Sequence, residues 1–169
     1  PFDYIKACKA ITNAGGFVFR VGDPSMTKLP KINGVIDYAH HSMKSEWMDV
    51  FLAATSRFCI GTSSGYFRIP RYFGVPVVST NVSNGAEYFS FRDKDLVLPR
   101  MIMKNNKYLS FEEFMLLRSK IMWSVEGFKE NNLEWISNTE NEIEDATKEM
   151  IEKTSGRKPE NLQDPLQQN

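Results

Sequence analysis

Two periodicities alternate along the first hundred residues. Residues 57–60 form an apolar, β-prone run that stops at Gly61, and residues 75–79 restart a second, β-branched run. Between them, residues 66–73 are long enough for two helical turns, with Gly74 placed just past the helix end. Buried runs flanking a short helical segment predict a strand, a turn, a helix and a second strand. The same grammar holds upstream. A helix is predicted over residues 3–13, stopped by Gly15 and Gly16, followed by a short strand over 17–21. A loop over 22–33, punctuated by Pro24 and Pro30, precedes a second short strand over 35–38. Residues 44–55 read as an amphipathic helix capped by Ser42 or Ser45, with Trp47, Met48, Phe51, Leu52 and Thr55 on its apolar stripe. Downstream, a polar loop spans 81–90, and a fifth strand spans 95–98 up to Pro99.

Continuous apolar strands separated by helices imply a parallel sheet covered on both faces. With right-handed crossovers this predicts an α/β, Rossmann-like three-layer domain with four to six parallel strands. From Ser110 the character turns helical and acidic, predicting a helical C-terminal third. Ser110 and Glu113 form a capping-box pattern opening a helix to about residue 123. Asn138, Thr139 and Glu142 open another, with Ile143, Ala146, Met150 and Ile151 on one face. Residues 1–156 are expected to form one domain, and 157–169, rich in Gln, Asn and Pro, a flexible tail.

Composition narrows the class. Of 169 residues, 41% are hydrophobic and 12% aromatic, enough for a real core in one globular domain. No apolar run approaches the ~20 residues that span a bilayer, and no signal-peptide pattern opens the sequence. Cys8 and Cys59 both sit in apolar runs and read as buried thiols in a reducing cytoplasm. The zero net charge hides an asymmetry: residues 1–109 carry 14 Lys and Arg against 8 Asp and Glu, and residues 110–160 carry 7 against 12. The positive half suits an anionic ligand. Without a dense basic stripe, nucleic acid is not an expected partner.

The turn between strand and helix has chemistry of its own. Gly61, Thr62, Ser63, Ser64 and Gly65 offer backbone N–H groups and three hydroxyls without bulk. Such a turn feeding a helix start is an anion site in waiting, and equally an ordinary strand–helix connection. The segment 60–65, Ile-Gly-Thr-Ser-Ser-Gly, followed by Gly74-Val75-Pro76, resembles the nucleotide-sugar site of GT-B glycosyltransferases, notably the heptosyltransferase branch. That branch carries an acid in the turn where this chain has Thr62. Three segments together are similar to a bacterial family assigned as glycosyltransferases: Arg20 to Pro24 (Arg-Val-Gly-Asp-Pro), Lys44 to Asp49 (Lys-Ser-Glu-Trp-Met-Asp) and the turn itself. The similarity runs from about Tyr4 to about Ile151.

The resemblance implies the C-terminal, donor-binding half of a GT-B fold, binding a nucleoside-diphosphate sugar. The N-terminal acceptor domain, and with it the catalytic base, would then lie elsewhere. No Asp-x-Asp or metal-ligand spacing is present, so transfer without a metal is expected. A GT-B-fold sugar-nucleotide epimerase and a non-catalytic nucleotide- or phosphosugar-binding module remain open alternatives.

Individual residues follow from strand ends, where ligands sit in doubly wound sheets. Arg20 ends the first strand and would hold phosphate oxygens through its planar fork, or brace a turn with Asp23 as a structural pair. His40 and His41 follow the second strand, as a base, a phosphate contact or plain loop residues; no nucleophile stands at triad spacing. Lys44 could reach a phosphate, or serve only the helix start. Glu87 is the best-placed carboxylate for ribose hydroxyls.

Overall fold

Parallel strand pairing is present and is divided between two sheets. The computed structural model describes residues 2–62, 64–83, 92–118 and 125–156. A 3-10 turn over Phe2–Tyr4 leads into helix α1 (Ile5–Asn13), which Gly15 ends at φ 84°. Strands β1 (Val18–Phe19) and β2 (Val35–Ile36) pair in parallel as a small first sheet. Both are shorter than the sequence predicts, and β2 stops early because Tyr38–His40 leaves the extended conformation for a 3-10 turn. Helix α2 (Glu46–Thr55) follows, with the Ser45 hydroxyl accepting the Met48 N–H as its cap.

The second sheet carries the core. Strands β3 (Cys59–Thr62), β4 (Val77–Val82) and β5 (Leu96–Pro99) lie in the order β3-β4-β5, all parallel. Central β4 is sealed on both faces: Val77, Val78, Ser79, Thr80 and Val82 are all buried, as a strand covered above and below requires. Between β3 and β4 runs the short helix α3 (Arg68–Tyr72), and Gly74 takes the left-handed conformation (φ 77°) that ends it. Asp95, buried just before β5, ties the sheet's start together. Its carboxylate accepts the Val77 and Arg92 backbone N–H groups and the Arg92 guanidinium.

The C-terminal third is not helical throughout, which corrects the sequence reading. Strands β6 (Met101–Lys104), β7 (Lys107–Tyr108) and β8 (Leu133–Ile136) form an antiparallel sheet in the order β7-β6-β8. The β6–β7 turn is Asn105-Asn106, both at positive φ (49° and 63°), the conformation a two-residue hairpin turn needs. Helices α4 (Phe111–Arg118) and α5 (Val125–Glu130) accompany this sheet. Ile102, Phe114, Phe128 and Leu133 form its own buried cluster, with Trp135 stacked on Phe128 at 5.0 Å. The predicted extension of that helix to residue 123 and the tail over 157–169 lie outside the described residues.

Helix α6 (Glu140–Lys153) starts with the full capping box: Thr139 and Glu142 bond each other's backbone N–H. Its buried residues Ile143, Thr147 and Met150 form one stripe, and the helix packs on α1, β4 and β5. The α2 stripe is a second correction. Trp47 and Phe51 stack on each other at 5.3 Å but are 69% and 44% exposed. The residue of α2 that is buried is Ala53, which fits the close approach of a helix to its neighbours.

Candidate functional site

The β1–β2 ladder delivers Arg20 and Asp37 to the same end. The Arg20 N–H donates to Ile36 O at 2.9 Å, and Arg20 O accepts the Ala39 N–H at 3.0 Å. The Arg20 guanidinium, with its side chain 11% exposed, is occupied by the protein itself. Nη1 pairs with Asp37 Oδ1 at 2.7 Å, and Nη2 donates to Thr27 O at 3.0 Å. Asp37 Oδ2 also accepts the Leu29 N–H at 3.0 Å. Burial pushes the Asp37 carboxyl up, but the bonds from Arg20, Leu29 and His40 outweigh it and hold the group below its ordinary value. Asp37 is thus the organising residue here, and sequence reasoning missed it. The signal available was an acid between Ile36 and Tyr38, interrupting an otherwise apolar strand end.

His40 closes the same cluster. Its Nδ1 is 3.0 Å from Asp37 Oδ2 and its Nε2 is 3.0 Å from Pro24 O, so both ring nitrogens are engaged within the loop. Asp23 does not orient Arg20. Its Oδ1 accepts the Ser25 N–H at 2.8 Å, capping the loop, and the Ser25 bonds lower its pKa. His41 is exposed, stacks on Tyr38 with ring centroids 6.4 Å apart, and accepts the Met43 N–H through Nδ1. Lys44 is also committed: it pairs with Asp49 at 2.7 Å and lies 5.6 Å over the Tyr38 ring.

The ends of β2 and β3 meet through the first turns of α2. The Tyr38 hydroxyl accepts the Ser45 N–H at 2.9 Å, and the Tyr66 hydroxyl donates to Asp49 O at 2.8 Å. Tyr38, beside the Arg20–Asp37–His40 cluster, and Tyr66, just past the turn, thus both bond to the start of α2. The described contacts join them through α2 and not directly. Burial, with Cys59, Asp49 and Tyr38 close by, pushes the Tyr66 phenol far above its usual range.

Within the turn, Thr62, Ser64 and Gly65 are exposed. Phe67 and Arg68 donate their N–H groups back to Ser64 O and Gly65 O, curling the chain into α3. The two glycines have different reasons. A Cβ on Gly61 would sit 3.2 Å from Phe67 Cδ2, whereas at Gly65 nothing lies within 4 Å. Gly61→Ala is therefore expected to cost about 1–2 kcal/mol, at the low end of overpacking penalties, and Gly65→Ala within about 0.5 kcal/mol. Thermal denaturation of both variants checks this; equal shifts would show that Phe67 yields. Ser63 and Glu87 lie outside the described residues.

The carboxyl ends of β4 and β5 complete this edge. Tyr4 Oη lies 2.6 Å from Thr80 Oγ1. Asn81 adopts a left-handed conformation (φ 55°), held by a reciprocal pair: its N–H donates to Asn138 Oδ1 at 2.6 Å, and its Oδ1 accepts the Asn138 N–H at 2.8 Å. Arg100 follows β5, with its N–H on Val82 O. Sequence reasoning missed it because the residue stands between Pro99 and a methionine-rich run that carried no motif.

Among the described residues, no group of three or more His, Cys, Asp and Glu is arranged to hold a metal ion, and no helix is long and apolar enough to cross a membrane. Cys8 and Cys59 are free and half-buried, and burial raises both thiols. No protein-family model, curated protein or solved structure matches the chain.

Proposed function

We propose that the chain is the donor-binding domain of a GT-B-type glycosyltransferase, Rossmann-like in its layering. It takes a nucleoside-diphosphate sugar at the carboxyl ends of its parallel strands and holds the leaving diphosphate during transfer. One observation carries this reading. Strands β3, β4 and β5 run parallel and finish on a common edge, where Thr62, Ser64 and Gly65 leave an exposed turn without bulky side chains. Ligands of open α/β sheets sit at such an edge. Transfer itself needs an acceptor-binding partner domain, in keeping with the resemblance noted above. The two free cysteines suit a reducing, cytoplasmic compartment.

A second reading is favoured by Arg20. Its guanidinium is tied to Asp37 and Thr27 O, so the residue best placed by sequence to meet a diphosphate is occupied. That favours a nucleotide- or phosphosugar-binding module without chemistry of its own. A thermal-shift panel of nucleoside diphosphates and their sugars separates these from a purely structural domain. Ligand at a hundred times its Kd adds about 2.7 kcal/mol to stability, and one nucleobase series is expected to raise the melting temperature. No response to any nucleotide at millimolar concentration would sink both readings. Release of nucleoside diphosphate on adding a candidate acceptor and partner domain would select the enzyme.

A further inference from the structure

Arg100 stands at the end of β5 as Arg20 stands at the end of β1, but the two guanidiniums are used differently. Arg20 is surrounded by acceptors of its own fold. Among the described residues the Arg100 side chain makes one hydrogen bond, from Nη2 to Ser137 Oγ at 3.4 Å, near the limit for such a bond. Its Nε is buried and donates to nothing. Among the described residues no carboxylate forms an ion pair with it. A cation that is partly desolvated and left without its counter-charge is costly for a fold that gains nothing from it.

The surroundings are built to hold still. The reciprocal Asn81–Asn138 bonds and the Asn138 Nδ2 bond to Pro99 O lock the ends of β4 and β5 to the residues before α6. Asn is among the non-glycine residues that take positive φ most readily, and at position 81 the two Asn138 bonds fix it there. Tyr4 meets the same end of β4, its Oη 2.6 Å from Thr80 Oγ1. The Glu142 carboxylate in the first turn of α6 is folded back on Thr139 N and Oγ1 at 2.7 and 2.8 Å.

We propose that Arg100, with the hydroxyl of Ser137, forms an oxyanion subsite at the carboxyl ends of β4 and β5, and that Arg20 is a structural residue. Adjacent strands lie about 4.8 Å apart, so the ends of β5 and β3, which Arg100 and the turn follow, are two strand spacings, about 10 Å, apart along one edge. A lone phosphate cannot touch both, whereas an extended diphosphate ester can place one end at each. Only this extension to a diphosphate ester rests on the function proposed above.

The test is calorimetric titration of the whole chain with pyrophosphate and, separately, malonate. Pyrophosphate is expected to bind the parent, and Arg100→Gln to weaken it about tenfold to a hundredfold, the range for a lost charge-assisted hydrogen bond. Ser137→Ala, an exposed change, is expected to weaken it about threefold with the fold intact, which keeps the test decisive should Arg100→Gln fail to fold. Arg20→Gln is expected to lower the melting temperature and leave the pyrophosphate Kd unchanged. Binding of malonate alone would keep the oxyanion subsite and exclude the diphosphate. Neither probe binding the parent at about 10 mM, or both binding Arg100→Gln as tightly as the parent, would overturn the proposal. Pyrophosphate binding that depends on Arg100, without a response to any nucleotide sugar, would uphold the subsite and remove the donor reading. Nucleotide sugars binding parent and Arg100→Gln alike would do the reverse.

Discussion

Replacing Asp95 with alanine is expected to cost roughly 3–5 kcal/mol of folding stability, the range for removing one partner of a buried ion pair. The carboxylate is fully buried and serves several donors at once. It accepts Val77 N–H at 3.1 Å, Arg92 N–H at 3.1 Å, Arg92 Nε at 3.0 Å and Arg92 Nη2 at 2.7 Å, with Arg71 Nε at 3.7 Å. Arg92 in turn donates to Arg71 O and Val75 O, so the pair staples the end of α3 to the starts of β4 and β5. Without the carboxylate, the Arg92 charge and the Val77 N–H lose their acceptor together. Burial pushes the Asp95 carboxyl up, yet the Arg92 and Val77 bonds prevail and hold it below the ordinary 3.8. A lowered folded-state pKa means that the contribution is complete at neutral pH, above the unfolded value. It fades as pH falls through the folded value. The stability gap between parent and Asp95→Asn, from urea midpoints, should therefore narrow between neutral pH and about pH 3. A gap independent of pH would mean that shape, and not charge, makes the staple.

Ile143→Ala is expected to cost about 2–5 kcal/mol, the range for emptying a well-packed core site. Ile143 is fully buried on the α6 stripe with Thr147 and Met150, where the helix meets α1 and the sheet. Trimming to valine removes a single methylene and should cost about 0.5–1.5 kcal/mol. Leu116, 61% exposed on α4, is the control, with Leu116→Ala near neutral. Chemical denaturation of the three variants orders them. An Ile143→Ala cost below about 1 kcal/mol would show that α6 is only loosely docked.

What could be read from the chain was local. The β3–turn–α3–β4 stretch follows the predicted order, with Gly74 ending α3, although β3 runs through Gly61 to Thr62 and does not stop at the glycine. Both capping boxes form, Ser110 with Glu113 and Thr139 with Glu142, since each needs only four consecutive residues. The failures are non-local. Strand β8 pairs with β6 across some thirty residues of sequence, and nothing near Leu133 announces that partner. A two-residue signal did exist in Asn105-Asn106, a hairpin turn between short runs. On α2 the period is right and the stripe is set off-centre: Met48 and Leu52 are half-buried, Trp47, Phe51 and Thr55 are exposed, and the buried position belongs to Ala53. At the candidate site, strand ends located Arg20 and His40 correctly along the chain. The acceptors that occupy them, Asp37 and the carbonyls of Thr27 and Pro24, come from loop geometry that no periodicity encodes.

The seam between α1 and α6 has a consequence for how the chain acquires its shape. Helix α1 ends at Asn13 and its partner does not begin until Glu140. Closing so long a loop costs only slightly more entropy than closing one half its length, about 0.6 kcal/mol per doubling, so the penalty is one of timing. During synthesis the face of α1 around Ala7 waits for α6, and an isolated nine-residue helix is too short to persist in water alone. The parallel pairs of β3, β4 and β5 can assemble from shorter range while that face stands open. Folding of this domain should therefore finish at α1, which docks last onto a late-made partner.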